Sequence, residues 1–275
     1  MTHQDKGLSR NTIDKYYTNA ETVEKIIDIV SKSVNINYDS DTIIEPSAGN
    51  GAFIENIKKL AKNTVFIDIE PENSQITKAD FLKYSPVKSE SRIHVIGNPP
   101  FGRQGSLANK FIKYACGFAD TVAFILPRSF KKESKQRFIP LNFHTIAEFD
   151  IPKNSFTVNG EPHDVTCVFQ IWEKRDILRE VPKHEEPIKF KFVKHDDNPD
   201  ISFRRVGVYA GRVDTETENK SPQSHYFIKL EVPVTDELIS LLNTIDYKNK
   251  SDTVGPKSIS KDEMTREFNT VLANF

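Results

Sequence analysis

The residues best suited to chemistry are Asn98-Pro99-Pro100-Phe101, inside Ile96-Gly97-Asn98-Pro99-Pro100-Phe101-Gly102. An apolar run with Ile93, Val95 and Ile96 leads into them and reads as a strand. Two successive prolines remove two N–H donors and stiffen the backbone. Two acceptors remain, the Asn98 side-chain oxygen and the Pro99 carbonyl. They suit an exocyclic amine whose lone pair is delocalised into a ring. Taking one N–H each, they draw the nitrogen towards tetrahedral geometry and free its lone pair for attack. Phe101 adds a flat face, and stacking a base on such a face is worth ~1–3 kcal/mol. An amine inside a duplex is out of reach here, so the base must be flipped or already unpaired.

Three segments are placed to hold a second ligand beside this tetrapeptide. Glu45-Pro46-Ser47-Ala48-Gly49-Asn50-Gly51-Ala52-Phe53 follows a strand and opens a helix. Gly49 and Gly51 let the backbone turn sharply and approach a ligand closely. Taken alone, the pair is equally a structural turn. Asp68, in Ile67-Asp68-Ile69-Glu70-Pro71, ends the next strand, about 20 residues past the glycines, where a carboxylate meets ribose hydroxyls. Asp80 and Phe81 follow the expected third strand and suit the edge and face of an adenine. An ordinary loop aspartate and a core phenylalanine fit the same positions.

The elements that carry these segments alternate. Residues 19–32 form an amphipathic helix with Val23, Ile26, Ile27 and Val30 on one face. Strands are predicted at 41–44, 64–69, 92–97, 121–126, 145–150 and 165–172, with helices at about 52–61 and 107–118. This alternation predicts a mostly parallel α/β sheet. The last two strands lack a helix between them. Asn159-Gly160 in their connection signals a tight turn, so they form an antiparallel hairpin at the sheet edge. Beyond Trp172 the texture changes. Residues 173–200 are charged, 203–213 and 226–232 read as strands, 236–243 as a helix, and 248–262 as polar. A boundary near 175 divides a domain at 1–175 from an α+β extension at 176–275.

Composition narrows the classes. The chain has 275 residues and a formal net charge of −1, so polyanion binding needs local basic patches. Cys116 and Cys167 sit in apolar contexts and read as buried thiols. The 7 histidines are scattered without metal-ligand spacing, which predicts no metal site. No apolar run spans a bilayer and the first residues are polar. A soluble, intracellular protein without a membrane partner is expected.

Glu45–Phe53 together with Asn98–Phe101 resembles the cofactor and catalytic motifs of the N6-adenine methyltransferases, over roughly the first 175 residues. Lys15-Tyr16-Tyr17-Thr18 is similar to the motif before that family's first helix. The motif order is that of the gamma-type amino-methyltransferases. The resemblance implies S-adenosylmethionine as cofactor, held by Tyr17, Thr18, Glu45, Pro46, Ser47, Ala48, Gly49, Gly51, Phe53, Asp68, Asp80 and Phe81. It implies a Rossmann-like seven-stranded sheet with an antiparallel last strand. It also implies a base-contacting aromatic in the last hairpin, best matched by Phe156 in Asn154-Ser155-Phe156; a buried packing phenylalanine fits the same position. Many relatives carry Tyr where Phe101 stands, so stacking is kept and a phenol hydrogen bond is lost.

Arg128, Lys131, Lys132, Lys135 and Arg137 follow the strand at 121–126 and fall at the same sheet edge as Asn98. With Arg103 they predict a basic rim for phosphates. A solvated helix face is the plainer reading. Arg204, Arg205 and Arg212 form a weaker patch. DNA adenine is the expected substrate. RNA adenine, a protein glutamine amide and a silent subunit remain as alternatives. The short extension also leaves room for a partner subunit in target recognition.

Overall fold

The computed structural model describes residues 16–87, 90–158 and 160–275. The chain divides into two compact units between Arg179 and Glu180.

The first unit opens with β1 (Tyr17–Thr18) and α1 (Ala20–Ser33). Asn19 caps α1 by accepting the Thr22 N–H at 2.9 Å, and Val23, Ile26, Ile27 and Val30 form its buried face. Then follow β2 (Thr42–Glu45), α2 (Ile54–Ile57), β3 (Asn63–Asp68), β4 (Thr77–Lys78), β5 (Ile93–Gly97), α3 (Ser106–Ala115), β6 (Thr121–Pro127), α4 (Glu133–Gln136), β7 (Phe143–Asp150), β8 (Phe156–Val158), β9 (Glu161–His163) and β10 (Cys167–Lys174). The helix expected at about 52–61 is only four residues long. Beyond it the N–H groups of Lys59 and Leu60 reach back three residues, so the chain tightens into turns.

The sheet is seven-stranded, in the order β4-β3-β2-β5-β6-β10-β7. Strands β2 to β6 pair in parallel, and β10 is antiparallel to both β6 and β7. This is the Rossmann-like architecture with one reversed strand. The expected hairpin pair is present, but β7 forms the edge and β10 is inserted inside it. Every residue of β5 and β6 is buried, as in a strand covered on both faces. One core packs α1 and α2 against the sheet; another packs α3.

The turn signal at Gly160 serves a different hairpin from the one expected. It joins β8 and β9, and β8 pairs antiparallel with β1, Tyr17 opposite Thr157 and Thr18 opposite Phe156. Asn159 lies outside the described residues, as does Lys15.

The second unit is a four-stranded antiparallel sheet with two helices. Its elements are β11 (Phe190–Val193), β12 (Ile201–Arg204), β13 (Val213–Asp214), β14 (His225–Leu230), α5 (Asp236–Thr244) and α6 (Lys261–Leu272). The sheet order is β11-β14-β12-β13. Phe190, Phe203, Ile228, Leu238, Met264 and Phe268 share its core. The single strand expected at 203–213 is two strands, separated by a loop in which Gly207 and Gly211 take positive φ. β11 lies in a segment read as charged, and α6 starts at the end of the segment read as polar and runs on beyond it. Ser260 and Glu263 form a capping box for α6, and Met264, Phe268 and Leu272 are its buried stripe.

Candidate active site

The carboxyl ends of β2, β3 and β5 converge on one cleft of about 250 Å3. Open α/β sheets bind ligands at this edge. The glycine loop is folded by its own backbone. Gly49 adopts φ +53°, its N–H donates to Asp68 Oδ2 at 2.8 Å, and the Glu72 N–H returns to the Gly49 carbonyl at 3.0 Å. Asp68 Oδ1 accepts the Glu70 N–H at 2.8 Å. Asp68 therefore fixes the loop from the next strand, with its carboxylate on the cleft wall.

Above the loop, the Tyr17 hydroxyl donates to Glu72 Oε1 at 2.6 Å. Below it, the Ser47 hydroxyl donates to the main-chain carbonyl of Asn98 at 3.0 Å and joins the loop to the tetrapeptide. The Asp80 side chain caps the turn at 81–83 by accepting the Leu82 N–H at 3.0 Å. Phe81 is packed against Phe111 and Tyr114, with ring centroids 5.3 and 5.4 Å away. It is both a core residue and part of the cleft wall.

Asn98 is aimed by its own amide. Its Nδ2 donates to the Tyr16 carbonyl at 3.2 Å and to Thr18 Oγ1 at 3.3 Å. Both N–H bonds are thus spent on the segment around β1, and Oδ1 takes no partner among the described residues. The β1–β8 pairing holds that segment, helped by Asn19 Nδ2 donating to the Asn154 carbonyl at 2.9 Å.

Glu45 ends β2 and is 2% exposed. Its Oε2 is buried with no hydrogen-bond partner among the described residues. Burial, with the nearby Asp68 carboxylate adding to it, pushes its pKa up to about 8.

Of the residues expected to hold a cofactor, the cleft brings together Tyr17, Thr18, Glu45, Pro46, Ser47, Ala48, Gly49, Phe53, Asp68, Asp80 and Phe81. Asn98, Pro99, Pro100 and Phe101 line it too. Gly51 does not. It has φ +88°, and a Cβ there would lie 2.7 Å from Ile54 Cδ1, so its role is packing the turn. Sequence reasoning missed Tyr16, Glu70, Glu72, Leu107 and Phe111 on the wall. Glu70 and Glu72 were readable, since they follow Asp68 at alternate positions.

Two groups of substrate residues need correction. Phe156 is 1% exposed and belongs to the core, so its ring is not presented to solvent. The aromatic exposed on that hairpin is His163. The rim is also less basic than its sequence. Lys131 Nζ pairs with Glu148 at 3.2 Å and Asp150 at 3.0 Å, and Arg128 pairs with Asp150 at 3.6 Å. The acids come from β7, which sequence order alone does not bring near. Lys132 is buried. Lys135 Nζ donates to the Gln104 carbonyl at 2.7 Å, a neutral partner that leaves its charge uncancelled. Arg103 and Arg137 are exposed. None of the six basic rim residues lines the cleft.

Among the described residues no group of three His, Cys, Asp or Glu side chains is placed to hold a metal. No helix is long and apolar enough to cross a membrane. Both cysteines are buried free thiols.

No protein-family model and no curated protein matches this chain. Solved structures similar to it include a proposed RNA methyltransferase from Pyrococcus horikoshii, 17% identical, with a TM-score of 0.47 over 62% of this chain and 93% of that one. An rRNA methylase from Streptococcus thermophilus is 14% identical, with a TM-score of 0.39 over 56% and 97%. Magnesium protoporphyrin IX methyltransferase from Synechocystis, solved with bound S-adenosylmethionine, is 9% identical, with a TM-score of 0.40 over 56% and 79%. These are distant likenesses of fold, and what the site can do follows from its own side chains.

Proposed function

We propose that the first unit is an S-adenosylmethionine-dependent methyltransferase acting on the N6 amino group of adenine in DNA, with the base flipped out of the duplex. The observation that carries this reading is the Asn98 amide. Both its N–H groups are used by the protein, which leaves Oδ1 as an acceptor at the cleft, next to the Pro99 carbonyl.

The cleft suits the cofactor on two counts. Glu45 Oε2 is a buried acceptor without a partner, as an α-ammonium requires. Gly49 holds φ +53°, where a side chain is strained, so the turn at the cleft favours glycine. Glu45 would hold the ammonium, Asp68 the ribose hydroxyls, and Asp80 with Phe81 the adenine. The cofactor supplies an electrophilic methyl group on a sulfonium.

The chain's own residues do the rest. Asn98 Oδ1 and the Pro99 carbonyl accept the two amine N–H groups and turn the nitrogen's lone pair towards the methyl. Phe101 offers its face to the ring. Once it carries the methyl group the nitrogen is strongly acidic and gives its surplus proton to water; a strong general base is not needed, because the methyl donor is already activated, and positioning and preorganised dipoles lower the barrier.

The second unit is proposed to assist target recognition. Lys261 Nζ lies 4.4 Å from the Phe192 ring and the Arg205 guanidinium 5.4 Å from the Tyr226 ring. Both cations are held over ring faces and suit the phosphates of a nucleic-acid strand.

Labelled S-adenosylmethionine with matched double-stranded DNA, single-stranded DNA, RNA and protein tests the reading. Label on N6 of DNA adenine is expected, lost in Asn98→Ala. Label in RNA alone would move the substrate and keep the chemistry; label in protein alone would sink the adenine assignment. Asp68→Ala should weaken cofactor affinity by about ten-fold, the scale of a lost hydrogen bond to a charged group. Unchanged affinity would remove the ribose role.

A further inference from the structure

The Thr18 side chain makes one hydrogen bond and leaves another open. Its Oγ1 accepts from Asn98 Nδ2 at 3.3 Å, and its own O–H meets no acceptor among the described residues. Thr18 is 6% exposed and lines the cleft. Buried donors are rarely left unmet. This O–H marks the place of an acceptor that a ligand brings.

Which ligand follows from the direction of the amide. The Tyr16 carbonyl can only accept, so the Asn98 nitrogen faces the segment around β1 and Oδ1 points away from it. The amine taken by Oδ1 and the group met by Thr18 stand at opposite ends of the amide. On the Thr18 side lies the glycine loop, since the ring of the adjacent Tyr17 is 3.4 Å from the Cβ position of Gly49. That is the cofactor's half of the cleft.

We infer that Thr18 is a positioning residue that ties the Asn98 acceptor to an occupied cofactor site: its hydroxyl donates to the carboxylate of S-adenosylmethionine and accepts from Asn98. This rests on the adenine methyltransferase reading above and deepens it by adding a control to the same site. Three bonds then run in one direction: from the amine N–H to Oδ1, from the Nδ2 hydrogen to Oγ1, and from the Thr18 O–H to the carboxylate. Each proton stays on its donor. Bonds in such a row strengthen one another by ~10–30% each, and the last is charge-assisted. Oδ1 is therefore a better acceptor once the carboxylate is in place. A cleft without the methyl donor holds the base weakly, which disfavours an unproductive complex.

The row has little play at Thr18. The residue is fixed opposite Phe156 by the β1–β8 pairing, and a β-branched side chain has few rotamers. Valine keeps its shape without the hydroxyl; serine keeps the hydroxyl without the methyl group.

The test is the affinity of an adenine-containing single-stranded DNA oligonucleotide, measured alone, with saturating S-adenosylhomocysteine, and with saturating 5′-methylthioadenosine, which lacks the carboxylate. S-adenosylhomocysteine should tighten the strand about five-fold or more in the unaltered protein, the low end of coupling between two sites. Methylthioadenosine should not. Thr18→Val should lose the tightening and bind S-adenosylhomocysteine about ten-fold weaker, as for a lost bond to a charged group. Thr18→Ser should restore both. Circular dichroism reports that each variant is folded. If Thr18→Val does not fold, the two nucleosides on the unaltered protein decide. The inference is overturned by tightening that persists in a folded Thr18→Val, by equal tightening with methylthioadenosine, by none in the unaltered protein, or by its loss in Thr18→Ser. Any of these alongside methyl label in DNA leaves the adenine reading standing; label confined to protein ends both.

Discussion

The Ser47 hydroxyl donates to the main-chain carbonyl of Asn98 at 3.0 Å. It is a direct bond between the glycine loop after β2 and the tetrapeptide after β5, and in the function proposed above it would set where the methyl donor and the acceptors stand relative to each other. In Ser47→Ala that carbonyl loses its partner. Turnover should fall about ten-fold or more with little change in S-adenosylhomocysteine affinity, since small misplacements at a reacting centre are costly. Steady-state kinetics with parallel calorimetry separates the two effects.

Asn98→Ala removes the acceptor and leaves the Phe101 face in place. Turnover should drop about 10²–10³-fold, the scale for losing one preorganised dipole. Strand affinity should change by less than that. Single-turnover rates measure the step directly.

Glu45 gives a pH dependence whose sign can be worked out. Its folded-state pKa is near 8, above the ordinary 4.5. Between these values the folded protein holds a proton that the unfolded chain releases, so this group makes stability fall as pH rises across that window. In Glu45→Gln the penalty disappears. The variant should melt higher than the unaltered protein at pH 8 to 9, and the two should converge near pH 5. S-adenosylhomocysteine affinity of the unaltered protein should climb with pH through about 8 as the carboxylate forms. In the variant it should stay low and flat. Thermal melts and calorimetry across this range check both statements.

Gly51→Ala tests packing against ligand contact. At φ +88° a side chain is strained, and its Cβ would meet Ile54 and Asn73 at 2.7 and 2.9 Å. Destabilisation of about 1–3 kcal/mol is expected. Cofactor affinity should be kept in the fraction that remains folded. Urea unfolding gives the first number and calorimetry the second.

The rim predicts unequal salt effects. Lys131 is neutralised by Glu148 and Asp150, whereas Arg103 is exposed, with no ion pair among the described residues. Arg103→Ala should lower the slope of log affinity against log salt by about one phosphate contact, ~0.7–0.9. Lys131→Ala should leave it nearly unchanged. Strand-binding titrations at several salt concentrations distinguish them.

The parallel sheet was legible because its strands are short apolar runs separated by turn residues and helical stripes. The cleft was legible because each of its motifs ends a strand, and strand ends share an edge. What escaped depended on pairing across long sequence distances. Nothing local to Lys131 announces Asp150. Nothing in the Asn159-Gly160 turn says that its hairpin reaches back to Tyr17 and Thr18. Phe156 read equally as a base-contacting aromatic and as a packing one, and only that pairing shows why it is buried. In the second unit, α6 was hidden by its polar composition, although the capping box at Ser260 and Glu263 marked its start.

The pairing of β1 with β8 joins segments 140 residues apart in the first unit, Tyr17 with Thr157. The ribosome makes β1 well before its partner, so β1 waits without a strand to hold it while the intervening strands are made. A nascent chain already has the glycine loop and the tetrapeptide, but Asn98 has no fixed Tyr16 carbonyl to aim at until Phe156 has emerged. The Asn98 amide is aimed only once that hairpin has formed, and a chain stopped short of it would carry every motif of the cleft with its proposed acceptor unaimed.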